Sequence, residues 1–277
     1  MNKLYAVSDI HGNLNGFVLA AVQAGIIDAN LNWIAGDSTL VNLGDGIDRG
    51  PQSREVIDLL IKLCRQAKEA GGLVKLLMGN HCAMLLDGRT SFGWYDCWIK
   101  NGGFNCIESY SFLLADKHGE YDYWDQDNAK KIYEYHREYF DALEEFCVID
   151  NNLFVHAGVE PGKTMQHLTD GTDIDYTGSK SHLWIRDQFY RHSSSDFVRD
   201  NYGVKRIIFG HSPTTRYILK DENTQMAPVE LMNGKLLGLD LGSYYPLGGV
   251  GIIKLTETSY ELAGIAYNAD LKGANAG

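Results

Sequence analysis

The strongest constraint in this chain is a boundary that recurs along it: a short apolar run stops, and residues able to ligate a metal follow. The boundary occurs at Asp9-Ile10-His11-Gly12, Gly44-Asp45-Gly46-Ile47-Asp48-Arg49-Gly50, Gly79-Asn80-His81, His156-Ala157-Gly158 and Gly210-His211-Ser212-Pro213. Short apolar runs of this kind read as strands buried in a sheet. Open α/β sheets place their ligands just past the carboxyl ends of such strands. Loops anchored this way can converge on one point while the sheet stays packed below them.

The runs themselves are Leu4 to Val7, Leu40 to Leu43, Leu73 to Met78, Leu153 to Val155 and Arg206 to Phe209. Between the first three lie helical patterns. Leu14, Phe17, Val18, Ala21 and Val22 share one face and end at Gly25; Val56, Leu59, Leu60, Leu63, Cys64 and Ala67 share another, with Pro51 suited to a first helical turn and Gly71-Gly72 as a stop. From about 84 to 146 the pattern changes to one rich in aromatic and acidic residues, read as a largely helical cap inserted over the sheet. Most of its aromatics, Trp94, Tyr95 and Trp98 among them, are expected to be its core, and one helix is expected over about Asn128 to Glu145. Cys147 to Ile149 and Leu153 to Val155 flank a hairpin-type turn at Asp150-Asn151-Asn152. The C-terminal part, at Pro228–Leu231, Lys235–Leu241, Val250–Leu255 and Tyr260–Ile265, reads as antiparallel strands with Asn233-Gly234 as a tight turn. The fold class is thus α/β (α+β), one domain over 1–270 with the insertion, followed by a flexible tail at 271–277.

With 277 residues, of which 44% are hydrophobic and 22% charged, the chain is an ordinary globular sequence able to bury a large core. A net charge of −11 argues against sequence-independent binding to nucleic acid or an anionic membrane, so neither is expected as a partner. The five cysteines are odd in number, and no close pair has zinc-finger spacing. They read as reduced thiols of a cytoplasmic protein. No run reaches the length of a signal peptide's apolar region or of a membrane span.

Taken singly, the ligand-type residues divide by task. Asp9 and His11 alternate after a strand and can grip one metal together, whereas a carboxylate at Asp45 can bridge two. Asn80 offers an amide oxygen, and His156 and His211 offer imidazoles. Two carboxylates, one amide and three imidazoles suit manganese, iron or zinc better than calcium. Two such metals about 3.5–4 Å apart can share a hydroxide and clamp a phosphate for attack. Arg49 in the same loop offers a fork for phosphate oxygens, the alternative being an ion pair with a neighbouring carboxylate. His81 can stand near a leaving-group oxygen, with Asp48 holding its imidazole protonated as a general acid.

The order of these motifs, above all Gly-Asp-x-x-Asp-Arg-Gly at 44–50, resembles the phosphoprotein phosphatase branch of the calcineurin-like metallophosphoesterases, in its bacterial and phage form. The resemblance implies a central β-sandwich flanked by helices, two divalent metals (manganese, with iron or zinc as alternatives) and phosphomonoester hydrolysis. It assigns Asp9, His11 and Asp45 to one metal, and Asp45, Asn80, His156 and His211 to the other. Arg49 and a second arginine would hold the phosphate with Asn80, the second being Arg186 in Trp184-Ile185-Arg186-Asp187, unless Arg186 merely pairs with Asp187. Two positions depart from the family pattern: Cys82 stands where an acidic residue is usual, and Gly46 where a bulky aromatic is frequent. The substrates implied are a phosphorylated protein, at serine or threonine or with dual specificity, or a small phosphoester. A symmetrical dinucleoside polyphosphate hydrolase is the alternative within the same chemistry, and a non-catalytic metal- or phosphate-binding module is the alternative outside it.

Overall fold

A computed structural model describes residues 3–175, 178–192, 195–269 and 271 of the chain. Among the described residues, ten strands form two five-stranded mixed sheets. The first contains β1 (Leu4–Val7), β2 (Thr39–Asn42), β3 (Leu73–Leu76), and the late strands β9 (Gly249–Leu255) and β10 (Tyr260–Tyr267), in the order β10-β9-β1-β2-β3. The second contains β4 (Phe146–Ile149), β5 (Asn152–Val155), β6 (Arg206–Phe209), β7 (Val229–Leu231) and β8 (Leu236–Gly238), in the order β4-β5-β6-β8-β7.

The apolar runs are continuous because both faces of the central strands are covered. Along β1, Leu4 and Ala6 face the second sheet, where they join Phe154, Ile208 and Leu237 in one core. Tyr5 and Val7 face the other way, against Phe17, Ala20 and Ala21 of α1 (Leu14–Gln23) and Val56 and Leu60 of α2 (Ser53–Glu69). The second sheet repeats this with period two: Ile207 and Phe209 pack outward against Phe189 and Val198, while Ile208 points into the sandwich. This is the β-sandwich flanked by helices that the resemblance implied.

The cap starts one turn earlier than its aromatic pattern. Helix α3 (Asn80–Gly88) opens directly on the third motif and is followed by α4 (Phe92–Trp98), a wide turn at Ile99–Gly103, α5 (Phe104–Ser109) and α6 (Ser111–Leu114). Tyr95, Trp98 and Tyr110 are fully buried there, as core aromatics should be.

Five local expectations need correction. The helix expected from 128 to 145 is two, α7 (Asp127–Tyr135) and α8 (Arg137–Asp141), broken at His136 (φ −114°, ψ 35°), whose ring is held between the Tyr110 hydroxyl and Asp58. Pro51 lies ahead of α2, whose N-cap is Gln52. The β2 segment begins one residue earlier than Leu40, and β3 ends at Leu76 rather than Met78. The run from Lys235 to Leu241 is strand only over Leu236–Gly238, and it pairs antiparallel with β7 but parallel with β6. The hairpin between β4 and β5 is as expected, with Asp150 (φ 49°) and Asn151 (φ 61°) making the left-handed two-residue turn that Asp and Asn tolerate. Apart from Leu271, the tail at 271–277 lies outside the described residues.

Candidate metal centre

Strand ends bring the motifs together. β1, β2 and β3 run parallel, as do β5 and β6, so each delivers its following loop to one edge of the sandwich. The loops are then stitched to each other by their backbones. His11 N donates to Asp45 O (2.9 Å), Gly12 N to Gly46 O (2.9 Å), Gly50 N to His11 O (3.0 Å) and Gly210 N to His156 O (2.7 Å). Two glycines make the close approach possible: a Cβ at Gly79 would overlap the Asp45 carboxylate, and one at Gly210 would overlap Ser8 and Asp9.

The turn geometry is costly. Asp9 (φ 50°), His11 (47°), Asp45 (52°), Asp48 (71°), Arg49 (67°) and His211 (65°) all occupy the left-handed region without being glycine. Each such residue costs on the order of 1 kcal/mol or more, a pattern that concentrates at functional sites.

The side chains meet around one oxygen. Asp45 Oδ1 accepts the His81 backbone N–H (3.1 Å), while Oδ2 faces the imidazoles. That oxygen lies 3.7 Å from His11 Nε2, 3.4 Å from His156 Nε2 and 3.9 Å from His81 Nε2. Asp9 Oδ1 is 3.9 Å from His11 Nε2, while its Oδ2 accepts from Ser8 and from the His211 backbone (2.9 Å). On the far side, Asn80 Oδ1 lies 3.0 Å from both His156 Nε2 and His211 Nδ1. Two compact ligand groups result, His11–Asp45–His81 and Asp45–His156–His211, and they share Asp45. All of these side chains are buried.

These atoms fit a divalent cation. His11 Nδ1 donates to the Ile47 carbonyl (2.8 Å) and His156 Nδ1 to the Leu43 carbonyl (2.8 Å), which fixes both tautomers and aims each Nε2 lone pair inward. A neutral His156 therefore faces the Asn80 oxygen acceptor to acceptor, an arrangement that calls for positive charge between them. The charges around the cluster draw a cation or a proton to the same place. Burial alone would lower His156, but Asp45 and Asp9 raise it to about 9. Burial, then Arg49 and His81, push His11 well below its ordinary value; burial, then Arg186 and His156, do the same to His211. Burial works against ionisation of Asp45, yet the imidazoles of His156, His81 and His11 hold it well below the usual carboxylate range. His11 and His211 are thus held neutral and Asp45 ionised, the forms that bind metal, whereas His156 keeps a proton that a cation would displace and burial, above all, raises Asp9.

Beside this cluster, His81 Nδ1 donates to Asp48 Oδ2 (2.6 Å), and both side chains are fully buried. The other ring nitrogen of His81 is buried with no hydrogen-bond partner among the described residues. Trp98 Nε1 donates to both Asp48 oxygens (3.0 and 2.9 Å), so this cap tryptophan is more than core; nothing in its sequence surroundings distinguishes it from Tyr95. Burial raises the Asp48 carboxyl against the pull of the His81 and Trp98 bonds. Arg49 donates from Nη1 to His11 Nε2 (2.9 Å) and lies 4.4 Å above the Tyr244 ring, a second residue that sequence reasoning passed over. Arg186 turns away from Asp187 and donates to the His211 carbonyl (3.0 Å) and Ser212 Oγ (3.1 Å), while Asp187 accepts from Tyr190 and pairs with Arg191. Both arginines thus border the cluster from opposite motifs.

The two departures from the family pattern meet one residue of the cap. A Cβ at Gly46 would stand 3.1 Å from the Tyr139 hydroxyl, and Cys82, fully buried, contacts that same hydroxyl. Tyr139 therefore fills the space that an aromatic at position 46 would take. Burial, then Asp45 and Asp48, push the Cys82 thiol well above its ordinary value, so it is an inert neutral group. Of the other described histidines, His182 is buried against Asp173 (3.1 Å) and His136 against Asp58 (2.9 Å).

Comparison with known proteins places this arrangement. A Shewanella-like protein phosphatase 2 of Arabidopsis thaliana is 37% identical over 86 residues, 31% of this chain and 22% of that protein. Over three of the curated relatives it matches, the similarity spans only 22–39% of their own length. An asymmetrical bis(5'-nucleosyl)-tetraphosphatase of Anoxybacillus flavithermus is 26% identical over 75% of this chain and 77% of its own. The solved cold-active protein-tyrosine phosphatase of a psychrophilic Shewanella shares the fold, with a TM-score of 0.62 at 20% identity, covering 95% of this chain and 78% of that one. The family model described as calcineurin-like phosphoesterase matches residues 3–215. That span takes in both sheets' site-bearing strands and every motif described above, and the chain belongs to the calcineurin-like phosphoesterase family.

Proposed function

We propose that this protein is a dinuclear metal-dependent phosphomonoesterase acting on phosphorylated proteins, at serine or threonine or with dual specificity. The observation that carries the reading is the Asp45 carboxylate, one oxygen of which faces both ligand groups at once. Asp9, His11 and Asp45 would hold one cation, and Asp45, Asn80, His156 and His211 the other, with manganese favoured and iron or zinc as alternatives. Bound there, divalent metals supply Lewis-acid polarisation of the phosphate and activation of water. Arg49 and Arg186, with the Asn80 amide, orient the phosphate oxygens; Arg gives a planar fork suited to that task. His81 holds a proton at Nε2, and Asp48, bonded at Nδ1, stabilises the imidazolium and fixes the ring. In this reading His81 serves as general acid toward the leaving oxygen. Tyr244 covers the Arg49 side, with its ring edge-on to His11 (5.4 Å), and limits water there.

A second reading has one specific support. One relative, similar at 26% identity over about three-quarters of both chains, is an asymmetrical bis(5'-nucleosyl)-tetraphosphatase, and hydrolysis of dinucleoside polyphosphates would use the same metals. The experiment that separates the readings is a substrate panel with manganese: phosphoserine, phosphothreonine and phosphotyrosine peptides against diadenosine polyphosphates. Cleavage of the peptides alone supports the first reading, and cleavage of the dinucleotides alone replaces it with the second. Manganese binding with no turnover of any phosphoester would make the protein a binding module.

A further inference from the structure

Each sheet has three neighbouring strands running parallel, β1, β2 and β3 in the first and β5, β6 and β8 in the second. Five of these strand ends lead to Asp9, Asp45, Asn80, His156 and His211. The sixth, β8, leads to Asp240. Phe209 and Gly238 are paired across β6 and β8, and His211 and Asp240 each stand two residues beyond them. Asp240 thus occupies the place in the second sheet that a site residue occupies in every other parallel strand.

We infer that Asp240 is a further acidic member of the metal centre, a positioning residue whose free oxygen supplies negative charge toward the cation held by Asp9 and His11. The inference rests on the metal-centre reading above. Asp240 is 1% exposed. Its Oδ1 accepts the Gly242 backbone N–H (2.8 Å), but Oδ2 is buried with no hydrogen-bond partner among the described residues. Burial first and then Asp9 push its carboxyl well above the usual carboxylate range in the metal-free protein, against the Gly242 bond, Arg49 and Arg186, so a cation there would favour its ionised form. A buried carboxylate beside a second carboxylate, with one oxygen unpartnered, is destabilising unless a cation or a hydrogen-bond donor reaches it. The turn does not need the charge, because an asparagine oxygen could accept from Gly242 equally well. The carboxylate has a use only toward something positive that Asp9 also faces.

The test is calorimetric titration of manganese into the metal-stripped full chain, for wild type, Asp240→Asn and Asp240→Ser, with melting of each metal-free protein. Both variants keep an oxygen for Gly242. Manganese binding at one site should weaken by about 10–100-fold, the usual effect of losing a partner outside the first ligand sphere. The metal-free Asp240→Asn protein should melt no lower than wild type, since a carboxyl whose ionisation burial and Asp9 oppose is replaced by a neutral amide. Unchanged manganese affinity in both variants, with a lower melting point, would reduce Asp240 to a turn residue and overturn the inference while leaving the metal centre intact. If wild type itself takes up no manganese, the metal-centre reading falls and the role of Asp240 falls with it.

Discussion

Replacing His81 by asparagine removes one function and spares the rest of the site. The backbone N–H that holds Asp45 Oδ1 at 3.1 Å is untouched, so the Asp45 carboxylate keeps its orientation, and the six residues proposed as metal ligands (Asp9, His11, Asp45, Asn80, His156 and His211) are all retained. The asparagine amide can donate to Asp48 in place of Nδ1, and Trp98 continues to hold both Asp48 oxygens. What is lost is Nε2, the buried nitrogen with no other partner. If it donates the proton to the leaving group, turnover should fall about 10²–10⁴-fold, or about 3–5 kcal/mol of barrier, for substrates whose leaving group needs that proton. A series of manganese-loaded assays from alkyl to nitrophenyl phosphates reads this directly. The deficit should be largest for alkyl esters and shrink toward nitrophenyl, while manganese content stays at the wild-type value. An alkyl phosphate turned over as fast as by wild type would refute the general-acid assignment. A loss of metal would show instead that His81 belongs to the ligand sphere, as its 3.9 Å approach to Asp45 Oδ2 permits.

Asp45→Asn should weaken manganese binding at both sites together, because one oxygen serves both groups; titration showing only one site lost would count against the bridge. Trp98→Phe removes two hydrogen bonds from a buried carboxyl and should lower stability by about 1.5–3 kcal/mol in a denaturant titration, with no change in metal content. His156 gives a pH dependence of definite sign. Its folded value of about 9 lies above the ordinary 6.5, so in the metal-free protein its contribution to stability is full below pH 6.5 and is lost as pH rises through about 9. A cation must displace that proton, so manganese affinity should climb across the same window, with proton release measurable by calorimetry in buffers of different ionisation enthalpy. Metal binding at neutral pH without proton release would contradict this.

The parts of the molecule that could be read from the sequence are those where local pattern and global packing agree. Strands buried on both faces are apolar throughout, and their ends are marked by polar residues that could not continue inside a sandwich, so Asp9, Asp45, Asn80, His156 and His211 stand out. What lay hidden depends on contacts between distant segments. Trp98 carries the same apolar signal whether it packs or also bonds Asp48. The break at His136 has neither proline nor glycine to announce it, being stabilised by Tyr110 and Asp58. The parallel pairing of a strand as short as β8 leaves no periodicity to read, so Asp240 looked like the interior of an antiparallel strand. Gly46 and Cys82 seemed separate departures until Tyr139 was found against both.

The left-handed turns around the site carry a consequence for how this protein fails. The loops bearing Asp9, His11, Asp45, Asp48, Arg49 and His211 do not rest at their own conformational minima; the two sheets beneath impose those shapes. Any weakening of the sandwich, even by a methyl group removed far from the edge, gives these loops room to recoil before the strands themselves separate. Ligand geometry is then the first property to be lost and secondary structure the last. Grip on the metal becomes a gauge of tension in the scaffold, and a destabilised variant would lose its cations while still looking folded by circular dichroism.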